Sequence, residues 1–563
     1  MQSTYRLQPR EPELEGFQNS AADRTLEALG YTPELRRNRS TWNVVFMCFI
    51  LSSVPYGLST TLTYPLAGGG PANVIWGWVT VCLIILCVAV SLAEITSVYP
   101  TAGGVYYQTF VLSPIWCRRI TSWICGWAYT AGQIMITLSV NFATTQFFIA
   151  SLNVFESAPR VGVADDFEDY QVFLIFLAIT LLCHAVCALG NRWLPLLEQM
   201  AIFWTIAGTI SLVVCILVLA KEGRHSAHWV FTHFEPQAGW PAGWSFCVGL
   251  LQASWATSAT GMIISMCEEV REPAIQVPKA MVRTVLINLI AGLILLIPLC
   301  FVLPDINKLI ASGQPVPLIL KSATGSPVGA FCLLLPLITL GLICGIGCVT
   351  ATSRCTWAFA RDGAIPGSRW WSVINPRLDM PLNAMLLGMA IEILLGLIYF
   401  GSSAAFSAFS GVGIILLTLS YASPVAVSLL LRRRQDIKQG NFHLPLLGPF
   451  CNIVTVGASL SLLHDMAAGV YYGSSLRSLS SIAWTILAIP LFCMPTFKGV
   501  TVTSMNYAVV VFVAIVLISS LWYWIWGRNN YAGPPTAGVH FNSGTAPNVD
   551  AETSAIGQTE KTA

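Results

Sequence analysis

Charge is what this chain has least of. Only 10% of its 563 residues are Asp, Glu, Lys or Arg, against about 25% in a soluble domain, and mean hydropathy is +0.67. Such a composition excludes a fold surrounded by water. The few charges nearly cancel at net +2 and form no basic stripe in the loops, which excludes a nucleic-acid partner. No phosphate loop, no metal-spaced Cys/His cluster and no nucleophile with a base is present, so neither an enzyme nor a metal or organic cofactor is expected. The 17 cysteines fall mostly within apolar runs, where a thiol behaves as a small apolar residue, so disulfides are not expected. Residues 1–41 lack the apolar core of a cleavable signal peptide. They also lack lysine, so a ubiquitin ligase on the cytoplasmic side would have to use Lys279, Lys438 or Lys561.

What fills the chain instead is apolar runs of membrane-spanning length. A span needs about 20 apolar residues, and twelve segments qualify: 42–66, 73–97, 121–150, 171–189, 196–220, 244–267, 282–303, 326–352, 382–400, 403–431, 446–497 and 505–526. The expected fold class is therefore an all-α membrane protein with 12 transmembrane helices, residues 42–527, between disordered tails 1–41 and 528–563. The tails are polar and cannot bury a core. With the N-terminus in the cytoplasm, 22 of the 29 basic residues fall inside and six outside, with Arg477 unassigned. That bias places both termini in the cytoplasm.

Two of the runs are interrupted where they should be most helical. The first reads WNVVFMCFIL, SSVPYGLSTT, LTYPL; the sixth reads WSFCVGLLQ, ASWATSATG, MIISMC. In hydrocarbon an unpaired backbone group finds no water, so irregular backbone persists only around a polar cavity or ligand. Paired breaks in two segments point to a midplane binding site of a secondary transporter.

Several further strings occur in one order: SLAEITSVYPTAGGVYY (91–107), MCEEVREPAIQVPKAM (266–281), TSRCTWAFARDGAIP (352–366), NPRLDMPLNA (375–384), Leu29–Ser40 before the first span, and Ser504–Ala508 before the last. Together they resemble the signatures of the amino acid–polyamine–organocation superfamily, most closely its fungal amino-acid, GABA and choline permease branch. The resemblance covers nearly everything from residue 29 to 534. It implies a five-plus-five inverted repeat with two extra helices, alternating access, and a plasma-membrane importer. It also implies that substrate is held between the broken first and sixth helices, with the third, eighth and tenth as walls. From the first break the candidate binding residues are Ser53, Tyr56, Gly57, Leu58 and Ser59. From the second they are Ser254, Trp255, Ser258, Thr260 and Gly261. A half-helix N-terminus suits a carboxylate and free carbonyls suit an ammonium, but small residues at these positions also simply permit close helix packing.

One departure concerns the sixth break. The family usually has Gly-aromatic-Gly there, where this chain has Ala259-Thr260-Gly261, so an aromatic lid is lost or supplied by Trp255. A choline-like quaternary amine would want an aromatic cage, for which Trp255, Tyr56, Trp127 and Trp204 are the candidates.

Ionisable residues inside spans are expensive and therefore functional candidates. Glu94, Glu198 and Glu392 qualify, with His184 a weaker one. Glu94 and Glu198 sit near expected cytoplasmic ends, where either reads as merely solvated or as paired with a neighbouring Arg, the reading favoured for Glu198. Glu94 is chosen for proton coupling, with sodium as the alternative ion. Glu268, Glu269 and Arg271, with Arg361 and Asp362, close the sixth and eighth helices, either as solvated ends or as an inner gate of ion pairs. Residues 457–481 have no counterpart in the family. They read as a retained intron or gene-model error, absent from the mature transcript, or else as a genuine loop. A nutrient receptor on the same fold is the competing function class; sensors of that kind tend to carry longer cytoplasmic extensions than the tails here.

Overall fold

A backbone in hydrocarbon can satisfy its own hydrogen bonds within a helix, and helices are what the apolar runs form. The computed structural model describes residues 21–37, 39–156, 167–220, 224–400, 405–431, 440–442, 493–499 and 505–536. Among them no strand occurs, only two isolated bridges.

A short helix α1 (Ala21–Ala28) precedes the first span, which is built from α2 (Thr41–Ser52) and α3 (Val54–Thr60). Helix α4 (Thr63–Val98) contains a turn at Gly69–Gly70 and a second span from Pro71 onward. Gly70 has φ +69°, a conformation that favours glycine. Next come α5 (Gly104–Leu112), α6 (Arg118–Leu152), α7 (Asp169–Gly190), α8 (Leu194–Leu219) and the short α9 (Ala227–Thr232). Helix α10 (Ala242–Ser258) runs on as a 3₁₀ stretch, Ala259–Glu269. The remainder is α11 (Pro273–Phe301), α12 (Ile306–Ala311), α13 (Pro315–Thr324), α14 (Pro327–Arg361), α15 (Ser368–Trp371), α16 (Leu382–Gly396), α17 (Ala405–Leu430), α18 (Ala508–Trp522) and α19 (Arg528–Asn530).

Ten described stretches are long and apolar enough to cross a membrane. One of them, Asp169–Leu219, is 51 residues long and bends through a 3₁₀ turn at Asn191–Trp193, so it makes two crossings. Nearly all of the eleventh expected segment, with the atypical 457–481, lies outside the described residues. The chain is an integral, multi-pass, all-α membrane protein.

Burial separates centre from periphery. The most apolar windows of the first, third and sixth spans are 94%, 89% and 100% buried within the protein, whereas that of the last span is 11% buried. The two interrupted helices are thus enclosed by others, and the last one is largely exposed. Irregular backbone sits where protein, not hydrocarbon, surrounds it.

The expected tail boundaries need correction at both ends. Residues 21–37 and 39–40 pack on the bundle: Leu26, Leu29, Tyr31 and Leu35 are buried, and Tyr107 donates to the Leu29 carbonyl. The reason is apolar spacing that a reading by polarity overlooks. Beyond the last span, Tyr531 is buried against Trp123, with ring centroids 5.0 Å apart. The remaining tail residues, 1–20 and 537–563, lie outside the description.

Candidate functional site

The first break is sharper than the sequence suggested. A single residue, Ser53, adopts the left-handed conformation (φ 34°, ψ 54°) and separates α2 from α3. A non-glycine residue held there is strained. Its N–H donates to Phe49 and its carbonyl accepts from Gly57, at 2.8 Å each, so Ser53 caps both halves. Tyr56, Gly57, Leu58 and Ser59 are helical and buried. The carboxylate cradle expected of this half-helix is reduced. Pro55 has no N–H and the Gly57 N–H is taken, which leaves at most the amides of Val54 and Tyr56. Gly57 instead permits close packing: a Cβ there would lie 3.2 Å from that of Ala256. Ser59 turns its hydroxyl back onto the Pro55 carbonyl.

The sixth break begins later than expected. Ser254 and Trp255 belong to the regular helix, and the ladder tightens only at Ala259, into eleven residues of 3₁₀ helix. Runs beyond three or four residues are uncommon and often mark a hinge. Two phenols cover the loosened carbonyls. Tyr421, from α17, donates to Ser258 and Tyr129, from α6, donates to Gly261, both at 3.1 Å. A Cβ at Gly261 would sit 2.5 Å from the Tyr421 ring. The aromatic against this break therefore comes from the tenth span, which neither the Ala259-Thr260 sequence nor Trp255 indicated.

The two breaks meet through side chains. Gln252 donates to the Leu58 carbonyl at 2.7 Å, and the Ser52 and Thr260 hydroxyls stand 3.5 Å apart. The Tyr56 and Trp255 rings lie 6.4 Å apart and both are tied to the third span, Tyr56 to Thr144 (2.7 Å) and Val140, Trp255 to Ser139 (3.0 Å). A cavity beside the second break is lined by Ser254, Ser258, Thr260 and Gly261, by the second-span stretch Ile85–Leu92 and by Tyr421. The five first-break candidates are not among its lining. Ser254 Oγ is buried there without a hydrogen-bond partner. The four aromatics proposed as a cage are not brought together: Trp127 packs on Trp123 and Phe359, and Trp204 is exposed.

At the end of the bundle that carries Arg39, the acidic residues are not solvated. Glu269 is buried between Arg39 (3.0 Å) and Arg354 (2.7 Å), and Arg39 also binds Glu198 at 2.6 Å. Burial alone would pull the Arg39 guanidinium down, but Glu198 and Glu269 hold it above its ordinary value, so it stays charged. Glu268 accepts two hydrogen bonds from Arg361, at 2.8 and 3.0 Å, and one from the Ala102 amide. Arg361 lies over the rings of Tyr31 (4.0 Å) and Trp357 (4.3 Å). Asp362 accepts from Tyr31 and Tyr106 at 2.9 and 2.8 Å. Arg271 is exposed, outside this network. Glu94 is buried near the same end, and its carbonyl accepts from Ser97. Sequence reasoning overlooked Arg354. Its signal was the spacing to Arg361, two helical turns along one face.

Burial pushes the Asp362 carboxyl up to about 6 from its ordinary 3.8, against the opposing pull of Arg361 and the two tyrosines. A raised acid favours the packed state while protonated. Its contribution to holding this contact is present below about pH 4 and is lost as pH rises through 6. The melting temperature of wild type relative to Asp362→Asn should therefore fall between pH 4 and 6.5 and level off above. Parallel profiles contradict this.

Comparison with known proteins bears on what such an arrangement does. A family model described as amino acid permease matches residues 40–515. An uncharacterized amino-acid permease of Schizosaccharomyces pombe is 30% identical, the match covering 91% of this chain and 89% of that protein. A choline transporter of Saccharomyces cerevisiae is 29% identical over 88% of this chain and 83% of its own. An amino-acid permease of Arabidopsis thaliana is 28% identical over 90% and 95%.

Proposed function

We propose, from the premise that this chain belongs to the amino acid permease family, that it imports an amino acid, GABA or a related small amine across the plasma membrane. Transport is by alternating access, driven by protons, with both termini in the cytoplasm. The observation that carries this reading is the pairing of a left-handed residue in one central helix with a 3₁₀ stretch in another, joined by Gln252–Leu58 and enclosed by the third and tenth spans. An unpartnered hydroxyl, Ser254 Oγ, beside that junction supports a polar ligand there, since a buried hydroxyl without a bond costs about 1–3 kcal/mol. Substrate would contact Tyr56, Trp255 and Ser254 once the breaks separate.

The Arg39–Glu198–Glu269–Arg354 cluster and the Glu268–Arg361 pair are the inner gate in this reading. Both lie at the cytoplasmic end in the proposed orientation, closed as the structure stands, and inward opening must break them. Lys279 is exposed at that end and available for ubiquitin. Choline is the second reading; the dispersal of Trp127 and Trp204 weighs against a four-ring cage.

Radiolabelled uptake in a permease-deficient yeast strain separates transporter from receptor. A panel of amino acids, GABA and choline should yield saturable uptake of at least one compound. Surface expression without any uptake contradicts transport.

A further inference from the structure

Away from the breaks, three buried polar side chains from three helices meet at membrane depth. His184 on α7, Glu392 on α16 and Asn141 on α6 are each at most 3% exposed. Asn141 Nδ2 donates to Glu392 Oε2 at 3.4 Å, and His184 Nε2 faces Glu392 Oε1 at 4.0 Å. His184 Nδ1 lies 2.8 Å from the Thr180 carbonyl. A carbonyl only accepts, so Nδ1 carries hydrogen. That leaves the Nε2 lone pair opposed to a carboxylate oxygen unless a proton sits on one of them.

We infer that the His184–Glu392 pair binds one transferable proton and is the coupling site of the transport cycle, in place of Glu94. With that proton the pair is neutral, as imidazole and carboxylic acid or as imidazolium and carboxylate. Without it a lone carboxylate stands in low dielectric with a single amide donor. Loading forms one N–H or O–H bond with a proton from water, and release returns it to water; no other bond changes. The titratable groups facing Glu392 are the thiols of Cys183 on α7 and Cys348 on α14, with Cys344 beside Cys348 and bonded to the Leu51 carbonyl. The other charged residues of these four helices, Arg118, Arg119, Asp169, Arg354 and Arg361, stand within two turns of helix ends, and Arg354 is taken by Glu269. The Tyr399 phenol follows α16. None of these supplies a permanent positive charge beside Glu392. Gly345 makes the room: a Cβ there would lie 2.6 Å from Asn141 Oδ1 and 3.0 Å from Cys183 Sγ.

The link to transport runs along the third span. Asn141 lies between Val140, whose carbonyl holds Tyr56, and Thr144, which bonds the same phenol. Two residues before it, Ser139 holds Trp255. A shift of Asn141 as the pair loads or empties moves the anchor points of both breaks.

The proposal rests on the transport reading above, and one experiment distinguishes their failures. Full-length protein in liposomes is given labelled amino acids, GABA and choline, in exchange mode without a gradient and in accumulation mode under an inward proton gradient. Wild type is expected to do both. Glu392→Gln should keep exchange within about twofold and lose accumulation by tenfold or more, while Glu94→Gln keeps both. Unchanged accumulation by Glu392→Gln, or loss of exchange together with accumulation, overturns the proton site while transport stands. Should Glu392→Gln fail to fold, His184→Gln is read by the same two criteria. Wild type that moves none of the compounds overturns both readings.

Discussion

Glu269→Gln is expected to destabilise the protein by about 3–5 kcal/mol. The carboxylate lies between Arg39 and Arg354, and all three side chains are buried. Neutralising it leaves two guanidiniums close together in low dielectric with Glu198 as their remaining acid. Breaking a buried pair by removing one partner costs about 3–5 kcal/mol. A lowered melting temperature in detergent and a reduced amount at the cell surface are the readouts. The loss must come from uncompensated charge rather than from lost packing. A triple replacement of Arg39, Glu269 and Arg354 by leucine or methionine should therefore recover part of it, since well-packed apolar residues often replace a buried ion cluster at little cost. Equal damage from both variants contradicts the electrostatic account. The cluster then has a second consequence. In the proposed gate role, charge pairs that become hydrated when parted would lose little on opening.

The second large effect is at Gly261, where valine should reduce initial uptake rates at least tenfold, about 1.4 kcal/mol, at equal surface abundance. Its Cβ would lie 2.5 Å from the Tyr421 ring, which would have to leave the Ser258 carbonyl. Overpacking of this kind costs about 1–3 kcal/mol, and an exposed carbonyl in a buried hinge adds a similar amount. Tyr421→Phe separates the terms, because it keeps the ring and removes only the hydrogen bond. Uptake intermediate between wild type and Gly261→Val is expected; wild-type rates in Gly261→Val contradict the hinge assignment.

How much of this was legible in the sequence depends on which force decides each feature. The spans were readable because hydrocarbon enforces continuous apolar runs, and the first break because Ser52, Ser53, Pro55 and Gly57 interrupt one. The sixth break was placed too early. Ser254 and Thr257 both stay in the regular helix; Thr257 turns its hydroxyl onto the Ala253 carbonyl, while that of Ser254 stays unpartnered. The carbonyls of Gly261 and Ser258 around the tightening are met by two tyrosines, 132 and 163 residues away in sequence, which no local pattern contains. The ion cluster was half readable. Glu268, Glu269 and Arg361 stand out as charges at helix ends, whereas Glu198 reads either as solvated or as paired with a neighbouring Arg. That Arg39 would be the partner required the ordered segment before the first span. Its buried Leu26, Leu29 and Tyr31 lie among polar residues that read as a tail. Glu94 reads as the coupling residue because a carboxylate inside an apolar run could be protonated when occluded. The His184–Glu392 juxtaposition joins helices 208 residues apart and was invisible until they packed.

The central claim, that substrate is held where the first and sixth helices break, is tested most directly by initial rates of saturable uptake for the labelled panel. Cells expressing wild type are compared with cells expressing Ser254→Trp at matched surface amounts. Wild type should saturate for at least one amino acid or amine, and the indole, filling the space beside the unpartnered hydroxyl, should leave under one tenth of that rate. Equal uptake by the two proteins would contradict the account.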